Sequence, residues 1–261
     1  MTGRSIDLPN KPLVEAILEI RWALDQNKDP AHPLYAGVLA GRLSEAFPYQ
    51  ENLPAAQIPD EITPHIVKFR FRAAPDSWPL IQAGPGIATL NLVGSYQWEA
   101  FRSLANYLWD KLHDSYAPFN SGNPPRITQL QLRYINAVPI SGLDLPTFLK
   151  DKLHVSFAVP AEIASKHTNG PASEVLLNVA YPLNFEGTTG LIQLQSGKQN
   201  DVDSIVFNLI AITNLSSPAT FDKFATWIEY VHGVLEEWFF TLIDGELLTE
   251  FRGEAIANEH S

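Results

Sequence analysis

The chain has no cysteine and one methionine. Without thiols there are no disulfides, no thiolate metal sites and no cysteine nucleophile. Basic residues are scarce too: 18 Lys and Arg stand against 29 Asp and Glu, a formal net charge of -11. That balance argues against long-range attraction to a phosphate backbone, although a local basic patch survives it. No apolar run approaches the roughly 18 residues of a membrane span. The opening "MTGRSIDLPNKP" lacks the apolar centre of a secretory signal. These absences point to a cytoplasmic protein without a membrane partner and argue against nucleic acid as its ligand.

Chemical signatures are equally sparse. Histidines at 32, 65, 113, 154, 167, 232 and 260 show no H-E-x-x-H or comparable ligand spacing, and His232 reads as an ordinary helix-face residue. No G-x-S-x-G elbow anchors a hydrolase triad. "GTTGLIQLQSGK" ends like a phosphate loop but lacks its spacing and reads as a hairpin, while "NDVDS" reads as a solvated loop tip. No catalytic residue, metal or cofactor is expected.

What is present is a globular composition, 45% hydrophobic and 18% charged over 261 residues, enough for one domain spanning residues 1–261. "VEAILEIRWAL" alternates Val14, Ala16, Leu18, Ile20 and Trp22 against Glu15, Glu19 and Arg21, the period of a strand. "ITQLQLRYINAV" does the same with Leu130, Leu132 and Tyr134 against Gln129, Gln131 and Arg133. Between these two, strands are expected at "KFRFRAA", "WPLIQAG" and "GIATLNLVG" after a helix at "HPLYAGVLAGRLSEAF". A long helix follows, capped by Ser95 and striped by Phe101, Ala105, Leu108, Leu112 and Tyr116. The second half repeats the order with a short helix at "DLPTFLKDKL", strands around "LLNVAY", "LIQLQ" and "VFNLIAIT", and a last long helix capped by Ser217 with Pro218 at its first position.

"LEIRW" at Leu18 thus recurs as "LQLRY" at Leu130, 112 positions on; "LNLV" at Leu90 recurs as "FNLI" at Phe207; and Phe101, Tyr107, Leu112 and Tyr116 match Phe224, Tyr230, Leu235 and Phe239 at an offset of 123. The expected fold is α+β: two pseudo-repeats, residues 10–118 and 126–250, each of strand, helix, three strands and long helix, forming one antiparallel sheet packed on two long helices. Extra residues of the second half are assigned to the "PAEIASKHTNGPA" loop and the "SGKQNDVDS" hairpin tip.

Three segments, "NKPLVEAILEIRW", "SYQWEAF" and "LQLRYINAVPI", resemble those of a sporadically distributed bacterial family of uncharacterised proteins. Its members carry a P-[IL]-V-E-A strand ending in [DE]-x-R, a Y-x-x-W-E-x-F helix start and an R-Y-x-N strand. Pro12, Glu15, Arg21, Tyr96, Trp98, Arg133, Tyr134 and Asn136 occupy these motif positions. The resemblance runs from about Asn10 to Phe251 and implies relatedness and a dedicated partner encoded nearby, not a reaction.

A sheet covered on one side leaves its odd face free. That face is expected to carry Glu15, Glu19, Arg21, Lys68, Arg70, Arg72, Thr89, Asn91, Gln129, Gln131, Arg133, Asn178, Gln193, Gln195 and Asn208. Its arginines and planar amides suit charge-assisted, two-pronged recognition of an anionic ligand or acidic segment. Asn136, from the mid-chain motif, joins Glu15, Glu19, Arg21, Lys68, Arg70, Arg72, Gln131 and Arg133 as a candidate binding residue. The reading is a non-enzymatic recognition protein for a protein partner or small anion. The alternative is a triphosphate-tunnel-like phosphohydrolase or a degenerate relative of one, because "EAILEIR" and "KFRFR" are similar to half of such a tunnel lining. Gln193 and Gln195 depart from it, standing where carboxylates would hold Mg²⁺. Excess apolar surface around Phe240 and Ile243 also makes a homodimer a candidate.

Overall fold

The computed structural model describes residues 8–26, 28–29, 31–140, 143–160, 162, 168–170, 172–219 and 223–254, with backbone only at 33 and 216–219. Alternation makes the first element: in strand β1 (Leu13–Trp22), Ala16, Leu18, Ile20 and Trp22 are fully buried and the odd residues half-buried. Helix α1 (His32–Leu43) and a short strand β2 (Tyr49–Asn52) come next. Strands β3 (Phe69–Arg72), β4 (Leu80–Gly84) and β5 (Ile87–Val93) follow, then helix α2 (Trp98–Tyr116). The second half runs β6 (Ile127–Pro139), α3 (Leu145–Leu153), β7 (Leu176–Pro182), β8 (Thr188–Gln199), β9 (Val202–Ala219), α4 (Phe224–Leu242) and α5 (Glu246–Phe251). The chain is therefore α+β, with one nine-stranded sheet in the order β2-β3-β4-β5-β1-β6-β9-β8-β7, every pairing antiparallel.

β1 and β6 lie side by side at the centre, with Ile17 opposite Arg133, Glu19 opposite Gln131 and Arg21 opposite Gln129. One cluster of buried side chains, from Leu8 to Phe251, fills the space between the even face of this sheet and the helices. Trp22 packs edge-on against Tyr35 of α1 and Tyr116 of α2 at 5.8 and 5.9 Å. α2 and α4 run antiparallel across the even face. Trp98 stacks on His232 at 3.6 Å, Arg102 pairs with Glu229 at 2.6 Å and Trp109 stacks on Phe224 at 4.3 Å. At the outer end of α4, Trp238 lies over β8. A Cβ at Gly190 would come within 2.3 Å of its ring, so no larger residue fits there without displacing it.

Two helix starts differ from expectation. Ser95 does not cap α2: the backbone N–H of Tyr96 turns back to the carbonyl of Gly94, and Gln97, still extended, holds the N-cap position. Ser217 and Pro218 do not begin α4, because β9 continues to Ala219, which pairs with Ile127 of β6; the helix starts at Phe224. Strand pairing with a distant segment outweighs a local cap signal there. In the ladder Leu18 of β1 faces Leu90, Leu130 of β6 faces Thr213, and Phe207 faces Asn136. Most of the "PAEIASKHTNGPA" loop lies outside the described residues. The "SGKQNDVDS" stretch is the tip of the β8–β9 hairpin, turning at Asn200 and Asp201 in left-handed conformations.

Candidate functional site

The odd face gathers Glu15, Glu19, Arg21, Gln131 and Arg133 at the centre of the sheet, as alternation demands. It is already bonded internally. Asn91 donates to Glu15 at 2.8 Å and accepts from Thr89 at 2.7 Å, Gln129 donates to Asn214 at 2.8 Å, and Arg21 Nε lies 2.6 Å from Glu19 Oε1. Arg133 donates from Nη2 to Asn208 at 3.1 Å, and its buried Nε has no hydrogen-bond partner. Four ladder positions separate Arg21 from Arg133, so their Cα atoms are roughly 14 Å apart. Ile17 lies beside Arg133 and Ile135 beside Glu15.

Four candidate binding residues are elsewhere or otherwise engaged. Lys68 is buried, and its ammonium donates to the carbonyl of Ile58 and to Asp60, each at 2.5 Å. Burial pushes the Asp60 carboxyl up, but hydrogen bonds from Lys68 and His32 outweigh it and hold the group below its ordinary value. Arg72, also buried, donates to the carbonyl of Ser77 and lies 3.3 Å from Glu51 and over the Trp78 ring. Arg70 donates to the other Glu51 oxygen at 3.1 Å. The cause is β2, a strand whose four residues "YQEN" carry no strong pattern; it puts Glu51 opposite Arg70. Asn136 is buried on the helix-covered face, in register with Tyr134, because it shares parity with the core residues of β6.

Asn136 instead lines a cleft, and other motif residues join it there. Pro12, Tyr96, Trp98, Tyr134 and Asn136, widely spaced in sequence, share a wall with Leu13, Leu209, His232, Glu236, Phe239 and Phe240. The cleft is open to solvent at its mouth. Along its floor the hydroxyls of Tyr96 and Tyr134 are 2.8 Å apart, and the Tyr134 hydroxyl is 2.9 Å from His232 Nδ1. Burial lowers the His232 pKa from 6.5 to about 4, against the opposing charges of Glu229 and Glu99. The imidazole is therefore neutral near pH 7. His232 is not an ordinary helix-face residue: it is buried, stacked and hydrogen-bonded. Ile243 is fully buried within its own chain, and Phe240 lines the cleft. Alternation along the strands does not point to this cleft; five of the positions that carry the family resemblance, from three separate segments, line it.

The sheet is open in the described residues, with β2 and β7 as its two ends. Among those residues no group of three His, Asp or Glu side chains is placed to hold a metal ion, and no helix is long and apolar enough to cross a membrane. Comparison with protein-family models and with curated proteins returns no match.

Proposed function

We propose that this chain is a cytoplasmic, non-enzymatic recognition protein whose odd sheet face binds a carboxylate or similar anionic group, on a small ligand or a partner's acidic segment. The observation that carries this reading is Arg133. It stands at the centre of the open sheet and uses one guanidinium N–H, from Nη2, on Asn208. A planar donor fork with spare N–H groups suits an anion. Gln131 and the Glu19–Arg21 pair flank it, whereas Lys68, Arg70 and Arg72 are committed to Asp60 and Glu51.

The phosphohydrolase alternative draws no support from an open strand order, nor from Glu15 and Glu19, which already engage Asn91 and Arg21. We further infer that the chain arose by internal duplication, in the bacterial family whose motifs it resembles. The central rung supports this: Glu19 and Gln131, equivalent at the offset of 112, face each other across β1 and β6, as two copies related by a twofold axis would.

Arg133→Lys and Arg133→Ala test the binding face. Both should lose whatever co-purifies with the tagged wild-type chain while melting at the same temperature, because a lysine ammonium cannot present the same fork. Full retention in both variants would remove Arg133 from the site.

A further inference from the structure

The cleft on the helix-covered side carries a carboxylate that no described residue pairs closely. Glu236 projects from α4 into the cleft wall half-buried, and it makes no hydrogen bond to any described residue. Its one ion-pair contact among them is His232 Nε2, at 3.9 Å. The imidazole cannot neutralise it, because burial keeps that ring uncharged near pH 7 and Nδ1 already engages Tyr134. Lys11, the other charged residue of the wall, donates to the carbonyl of Tyr96 at 2.8 Å. Burial raises the Glu236 carboxyl above its ordinary value and the negative Glu99, in the first turn of α2, adds to this. A half-buried carboxylate without a cation is costly in a way that a bound cation relieves.

The remaining wall fixes the kind of cation. Phe239 and Phe240 meet edge to face at 5.3 Å, and Leu13, Leu209 and Leu235 complete an apolar lining. Aromatic faces attract organic cations and exclude strongly hydrated metal ions, which need several oxygen ligands. We propose that the cleft is a binding site for a small organic cation, an amine on an apolar or aromatic body, with Glu236 as its counter-charge and Phe239, Phe240 and the leucines enclosing its body. This site is on the opposite side of the sheet from Arg133 and does not depend on the binding face proposed above.

Isothermal titration of the full chain near neutral pH with phenethylamine, hexylamine, phenethyl alcohol and phenylpropionate decides it. The amines should bind at least about tenfold more tightly than the alcohol, and phenylpropionate should give no heat. Glu236→Gln, which removes the charge at nearly constant shape, should abolish the preference without moving the melting temperature. Three results overturn the proposal: equal binding of amine and alcohol, no heat from either amine at millimolar concentration, or an amine preference that persists in Glu236→Gln. Should the variant fail to fold, the comparison of amine, alcohol and carboxylate on the wild-type chain still decides between these outcomes.

Discussion

Trp22 shows how much one side chain can fix. Its ring is sealed between Tyr35 and Tyr116, and its indole N–H donates to Asp29 at 2.9 Å. Asp29, itself buried, also accepts from the Tyr116 hydroxyl and from the backbone N–H groups of Ala31 and Gly86. Trp22→Ala should therefore cost about 3–5 kcal/mol in denaturant unfolding, as aromatic truncations in cores do. Trp22→Phe should keep much of the packing yet still lose about 1–3 kcal/mol, because the buried Asp29 would lose one of its four donors. A near-neutral Trp22→Ala would contradict the register of β1. That Trp22 is inside and Arg21 on the other face was legible, since period-two alternation depends only on local residues. Asp29 was not legible: its donors come from three segments, and an aspartate in a turn looks solvated until they converge. Lys68 and Arg72 were misread for a related reason. Alternation assigns a residue to a face but is silent on what reaches across to it, and Glu51 and Asp60 do.

Helix α4 combines a legible feature with an illegible one. Its buried stripe, including Phe224, Trp227, Ile228, Val231 and Leu235, follows from helical spacing. Its first turn does not, because β9 takes residues that carry a helix-cap signature. The same helix places His232, 8% exposed, against Trp98 and Tyr134. Its folded pKa of about 4 lies below the ordinary 6.5, so the unfolded chain binds more protons at this site than the folded one. The stabilisation is complete above about 6.5 and is lost as pH falls toward 4, amounting to about 3 kcal/mol over the whole window. Glu236 faces the same ring with a raised pKa and acts in the opposite direction. The histidine term is isolated by comparing wild type with His232→Gln in urea at pH values across this window. The variant should be less stable at neutral pH and show a flatter decline; parallel slopes would mean that the ring is not held neutral in the fold.

At the scale of the molecule, the α+β class and the antiparallel sheet were legible because most strands, β2 excepted, announced themselves by their residue pattern and each long helix by its stripe. The cleft was not, since it arises where β6, the start of α2 and the end of α4 meet, and no single periodicity describes a meeting of three elements. A fragment of residues 8–123 would expose the edge of β1 and the flank of α2 that Trp109 and Arg102 present to α4. Size-exclusion chromatography with light scattering should find it as dimers or aggregates; a monomer that melts cooperatively would show that the first half folds without the second. The central rung has a further consequence under the duplication we propose. In an ancestral pair of identical chains, the residue on the axis would have met its own copy, and glutamate against glutamate directly opposite is unfavourable. Joining the copies in one polypeptide frees the two positions to diverge, so the present chain can keep Glu19 on one side of the axis and set a neutral Gln131 against it on the other.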